Sequence, residues 1–236
     1  MRPPGGFSLF LAVAMSLSLV TMGWFWANQD AFAPNTLPWK PVMLDAPPRW
    51  LAHWQLYRLA NDAKLCSKAL TTAGQLRITP LENRRIKGEC AFRNVVRADS
   101  SPISFSPRVT ATCGVTAALY WYQRQLADTA QTHMDSALVG ITQLGTYACR
   151  NVNNLKEGRL SQHATANAID IAVFHFADGN SASVLRDYGK PTPQGRFLDA
   201  AHDQACGLFN VVLGPRYNRL HADHFHMDTS GFLTCR

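Results

Sequence analysis

Two short runs near the C-terminal end hold the side chains best suited to chemistry. Ser161-Gln162-His163-Ala164-Thr165-Ala166-Asn167-Ala168-Ile169-Asp170 carries a His and an Asp, and His221-Ala222-Asp223-His224-Phe225-His226 carries an Asp-His-x-His. Histidine and carboxylate are the residue types of a catalytic zinc site. Such a site has three protein ligands and leaves a fourth position for water. A further carboxylate nearby can serve as general base toward that water.

The surrounding residues must position these groups. Ala168 to Phe174 (AIDIAVF) is apolar and β-branched, the pattern of a strand. Asp170 interrupts that buried run, and a lone carboxylate there is expensive to bury without a partner or a metal. Ala164 to Asn167 is short enough for a turn that brings His163 back over Asp170. His224 and His226 are two apart, so on an extended chain they point to the same face.

These runs resemble the zinc peptidases of the D-Ala-D-Ala carboxypeptidase group. That group includes D,D-dipeptidases, murein endopeptidases and the Hedgehog signalling domain, with the pattern S-x-H-x-x-G-x-A-x-D followed later by D/E-H-x-H or E-x-x-H. The last hundred or so residues are similar, more closely, to the extensin-like C-terminal domain of bacterial proteins. The matching pieces are Gly145 to Arg150, the SQHATANAIDIAVF run, Leu213 to Asn218, His224 to Asp228, and Cys235-Arg236. Ala166 stands where the family pattern has its turn glycine.

The resemblance, with the chemistry, implies roles. His163, Asp170 and His226 are the metal ligands, and the metal is zinc, one per chain. His221 is an alternative ligand that breaks the D-H-x-H alignment. Asp223 is the general base toward the water. His224 either hydrogen-bonds the developing oxyanion or fixes Asp223. Arg150 is a clamp for a substrate carboxylate, a structural salt bridge being the other reading. Ser161 adds a hydrogen bond to substrate or caps a turn. Asp228 could support His226 from outside the ligand set.

Composition bounds the rest. The chain has 236 residues, 47% hydrophobic and 17% charged, with net charge +7, which is globular and suits one domain plus an appendage. A basic surface favours anionic partners. The one tight basic cluster, Arg84-Arg85-Ile86-Lys87, lies in no nucleic-acid-binding motif, so nucleic acid is not expected.

Residues 1 to 33 read as a membrane anchor or signal peptide. Phe7 to Ala27 is uncharged and apolar, long enough to span a bilayer, and Arg2 precedes it. Its length favours an uncleaved anchor, while Ala31-Phe32-Ala33 offers a cleavage pattern. Either way the remainder lies outside the cytoplasm, in the periplasm on the peptidase reading. Residues 34 to 49, with five prolines, read as a linker. Residues 50 to 236 form the extensin-like, zinc-peptidase-type domain.

Within that domain, apolar spacing predicts helices over Trp50 to Leu70, Val115 to Ala127 with Thr112 as cap, and Phe197 to Leu208. Strands are expected at Leu76 to Ile78, Cys90 to Phe92, Ile103 to Phe105, Ala137 to Cys149, Ala168 to Phe174, Ser181 to Leu185 and Asn210 to Leu213. Without βαβ regularity, the fold class is α+β with a central antiparallel sheet and flanking helices. The resemblance makes it Hedgehog- or D-Ala-D-Ala-peptidase-like. Six cysteines behind an export segment predict three disulfides. Pairing chain neighbours gives Cys66–Cys90, Cys113–Cys149 and Cys206–Cys235, though spacing alone does not choose.

The expected function is an exported zinc hydrolase acting on peptide stems of peptidoglycan. The rival is a non-catalytic module that binds the cell wall, or is structural, and keeps a metal for stability.

Overall fold

The computed structural model describes residues 6–236; residues 1–5, including Arg2, lie outside the described part. In chain order the first half forms α1 (Gly6–Ala27), α2 (Ala52–Asn61), α3 (Ala63–Leu70), β1 (Arg77–Pro80), β2 (Arg84–Lys87), β3 (Cys90–Phe92), β4 (Val95–Ser100), β5 (Ser104–Ser106), β6 (Thr110–Thr112) and α4 (Cys113–Met134). The second half forms β7 (Leu138–Gly145), β8 (Ala168–Phe176), β9 (Ser181–Ser183), α5 (Val184–Asp187), α6 (Pro193–Cys206), β10 (Val211–Leu213), β11 (Phe225–Asp228) and β12 (Thr234–Cys235).

The fold is mixed α+β. Its main sheet has the order β12-β10-β11-β8-β7-β5, with β9 also on β8. The central pairs are antiparallel, as expected. The edges differ: β5 runs parallel to β7, and β12 parallel to β10. A parallel neighbour needs a crossover, and α4 supplies it between β5 and β7. Two small sheets, β1-β4-β6 and β2-β3, precede α4.

α4 is the centre of the core. Thr112 caps it, its hydroxyl accepting the Val115 N–H at 3.4 Å. It runs beyond Ala127 because Thr129 and Ala130 are buried; Gln204 of α6 donates to the Thr129 hydroxyl at 2.6 Å. Tyr120, Trp121 and Tyr122 are fully buried. The helix expected over Trp50 to Leu70 is two helices. Asp62 breaks it with extended backbone and then caps α3, accepting the Leu65 N–H at 2.9 Å.

Residues 34–49 contain no helix or strand, yet they are fastened to the domain. Leu37, Val42 and Leu44 are buried. The Trp121 indole N–H is shared between the carbonyls of Leu44 at 2.9 Å and Ala46 at 3.0 Å. The proline-rich stretch is thus a strap across α4, anchored by the hydrogen bonds its prolines cannot supply internally.

The disulfides are Cys66–Cys113, Cys90–Cys149 and Cys206–Cys235. Only the last follows the neighbour pairing. The other two correct it, because closeness in sequence is not closeness in space. α3 packs on α4, whose first residue is Cys113. β3 lies beside the turn that carries His163, and its Cys90 reaches Cys149.

Candidate metal centre

β8 and β11 pair so that Asp170 stands directly opposite His226. Side chains alternate along a strand, so Asp228 falls on the same face as His226. His163 comes from a 3-10 turn, Gln162–Thr165, that precedes β8. The Ser161 hydroxyl accepts the His163 N–H at 3.3 Å and so caps that turn.

The turn closes at Ala166, which is left-handed with φ 55° and ψ 28°. An L-residue there costs about 1–2 kcal/mol of backbone strain. Local contacts offset it. The buried Ala166 packs with Phe92 and Val95. Its N–H donates to the His163 carbonyl at 3.0 Å, and its carbonyl accepts the Thr112 N–H at 2.8 Å. The Asn167 side-chain Oδ1 accepts from the hydroxyls of Thr112 and Thr229, and its Nδ2 donates to Gln162 Oε1. The glycine-type turn is kept without glycine.

Three donor atoms converge. His163 Nε2 lies 3.2 Å from Asp170 Oδ1 and 3.1 Å from His226 Nδ1, and the latter is 2.9 Å from the same oxygen. Bonds of 2.0–2.1 Å at a tetrahedral centre place ligand atoms about 3.3 Å apart. The triangle is therefore close to one face of such a site. The outer support fits as well. His226 Nε2–H donates to Asp228 Oδ2 at 3.2 Å, which turns the Nδ1 lone pair inward. Asp228 is in turn held by the Ser230 N–H at 2.8 Å. The three atoms can share a proton carried by one of the imidazoles, or hold a metal ion between them.

The electrostatics agree. Burial pushes the Asp170 carboxyl up, but hydrogen bonds and charge from His163 and His226 outweigh it and hold it well below the usual carboxylate range. Burial pushes His226 down, but Asp170 and Asp228 outweigh that and raise it to about 9.

The other predicted residues ring this triangle. A cavity of about 530 Å³ opens over it, lined by Arg150, Ser161, His221 and His224 among others. Arg150 is exposed, and no carboxylate pairs with it among the described residues. Its neighbour Cys149 is braced by Cys90 rather than by Cys113. The Arg150 carbonyl accepts the Ser161 N–H at 3.1 Å, which ties the two predicted substrate contacts together.

His224 and Asp223 form a pair: Nδ1 of the imidazole is 2.8 Å from the carboxylate, and Nε2 is 3.6 Å from Asp170. Asp223 itself is 56% exposed and stands behind His224, outside the cavity lining. His221 is outside the triangle. It donates Nδ1–H to Asn218 at 2.8 Å. Burial first, then the nearby histidines, depress it to about 4, so it is neutral at pH 7 with Nε2 free to accept.

Sequence reading missed Arg159, Tyr217 and Phe232 on the cavity wall. Arg159 lies over the Phe232 ring at 5.4 Å. Their separation in sequence leaves no local signal. The cluster His202, Cys206 and Cys235 also gathers potential ligands, but both sulfurs are in a disulfide.

No curated protein and no solved structure matches this chain. The family described as "Extensin-like protein C-terminus" matches residues 64–236, from α3 through β12 and so across the whole centre just described. The chain belongs to the extensin-like protein C-terminus family.

Proposed function

We propose that this protein is an exported, membrane-anchored zinc hydrolase that cuts amide bonds in the peptide stems of the bacterial cell wall. The observation that carries the proposal is the triangle of His163, Asp170 and His226 at the floor of a cavity walled by an unpaired Arg. The kinship to the D-Ala-D-Ala peptidase group, including a Hedgehog-like arrangement of the domain, rests on motif order and on this convergence. The periplasm is the compartment proposed, since an apolar N-terminal helix and three disulfides suit export.

Zinc, when bound, supplies a Lewis acid that brings the pKa of its water to about 7. The chain's residues do the rest. Asp228 fixes the His226 ring. Arg150 receives a substrate carboxylate through its paired N–H groups. Neutral His221 accepts a hydrogen bond from a substrate amide. Asp223 and His224 act as one proton-accepting unit, the imidazole facing the cavity and the carboxylate supporting it. They take a proton from the attacking water and return it to the leaving amine.

One observation favours the non-catalytic reading: Asp223 is more than half exposed and outside the cavity. Digestion of purified muropeptides by wild type, Asp223→Asn and His224→Ala separates the two. Amine release by wild type, lost in both variants with the fold and metal intact, supports the hydrolase. Equal activity in wild type and Asp223→Asn contradicts the assigned role.

A further inference from the structure

The tryptophans are distributed unevenly. Trp24, Trp26, Trp39, Trp50 and Trp54 lie in one stretch of the chain and are exposed, while Trp121 alone is buried in the core. α1 is apolar on every side and none of it is buried. Its end is knitted to the strap. Trp39 stacks on Trp26 at 6.1 Å and meets Phe25 edge-on at 5.8 Å. Trp39 Nε1–H donates to Gln29 at 2.8 Å, and Lys40 pairs with Asp30 at 2.6 Å. These contacts span Ala31-Phe32-Ala33, so a cut there would break them.

α2 continues this aromatic surface. Ala52, Gln55, Leu56 and Leu59 face the core. The opposite side carries Trp54 and Tyr57 on one helical stripe, with Trp50 in the turn before it; they are 41%, 50% and 79% exposed. Arg58 joins the stripe to the strap, its guanidinium lying 4.8 Å over Trp54 and donating to the Pro38 carbonyl at 2.7 Å. Trp and Tyr with an apolar body and a polar edge belong at the headgroup level of a bilayer. An exposed aromatic stripe, continuous with the end of a membrane-spanning helix, fits the surface of that same bilayer.

We infer that Trp39, Trp50, Trp54 and Tyr57 form a second membrane contact, which lies in the headgroup zone of the bilayer spanned by α1 and holds the domain against it. The inference is independent of whether the metal centre is catalytic. It gives the strap a purpose, since a fastened strap transmits the position of α1 to the domain, whereas a free linker would not.

The test uses the full chain in phospholipid nanodiscs containing a phosphatidylcholine with a photoreactive diazirine near the glycerol backbone. After irradiation, reduction and alkylation, trypsin releases residues 50–58 as one peptide and 125–150 as another. The expected result is labelling of α1 and of 50–58, the latter at least about fivefold above 125–150, as interfacial aromatics require. In Trp50→Gln/Trp54→Gln/Tyr57→Gln the labelling of 50–58 falls to the level of 125–150, while α1 labelling and the circular dichroism spectrum stay unchanged. Labelled α1 with 50–58 no higher than 125–150 in wild type overturns the inference. So does undiminished labelling in the triple variant, or an unlabelled α1.

Discussion

At the scale of single residues, the centre is a problem of three lone pairs and what lies between them. His163 Nε2, Asp170 Oδ1 and His226 Nδ1 lie within 3.2 Å of one another. Asp228 decides which nitrogen of His226 joins them. Asp228→Asn should therefore weaken zinc binding by about 10–100-fold without unfolding the chain, as loss of a supporting partner does elsewhere. A competition titration with a chromophoric chelator measures it. The metal-free chain also has a defined pH response. His226, raised to about 9, contributes stability that is complete below its ordinary 6.5 and is lost as pH climbs through 9. Asp170, lowered, contributes stability that is complete above its ordinary 3.8 and is lost as pH falls further. The metal-free midpoint of thermal unfolding should peak between about pH 4 and 6.5 and decline toward 9. Bound zinc should flatten or reverse the upper arm, because the ligands bind it deprotonated. The convergence of His163 and His226 on Asp170 was expected from the motif resemblance and from a carboxylate inside an apolar strand, which demands a partner. The exposure of Asp223 was not, because it depends on which way the loop before β11 turns.

At the scale of elements, the site depends on a turn, two strands and the helix behind them. Ala166→Val tests the turn. A β-branched residue at φ 55° in a filled pocket should destabilise by at least about 1–3 kcal/mol, read from denaturant midpoints. Behind the turn, Gly114 lets α2 lie against α4: a Cβ there would come within 2.8 Å of the Ala60 Cβ. Strand β8 and the cap of α4 were readable because a buried strand and a Thr-capped apolar stripe leave local signals. The last turns of α4 were not, since they depend on a contact across the fold, Thr129 with Gln204. The split at Asp62 does have a local signal, an Asp that caps α3 by accepting the Leu65 N–H, but it sits inside an apolar spacing that runs on through both helices. The disulfide map states the same lesson more sharply. Peptide mapping under non-reducing conditions should return Cys66–Cys113 and Cys90–Cys149, and recovery of Cys66–Cys90 would contradict the placement of α3 on α4. Opening the Cys66–Cys113 link by a double Ser substitution should cost about 2–4 kcal/mol.

At the scale of the molecule, the chain is an apolar helix, a fastened strap and a mixed α+β domain whose cavity holds His163, Asp170 and His226. Length, composition and the even cysteine count made the helix, the domain class and three disulfides legible; the strap read as a linker, because its hold on Trp121 leaves no local signal. Parallel edges in the sheet were not legible, since only the crossover through α4 creates one of them. Metal binding to the folded state alone must stabilise the whole domain, by about 2.7 kcal/mol when free zinc is 100 times its dissociation constant. A chelator should lower the unfolding midpoint of wild type and leave His163→Ala unmoved. The most direct measurement is the zinc content of the purified, disulfide-bonded full chain beside His163→Ala and Asp223→Asn. One zinc per chain is expected in wild type and in Asp223→Asn, and none in His163→Ala. A well-folded wild type that takes up no zinc would contradict the proposed metal centre.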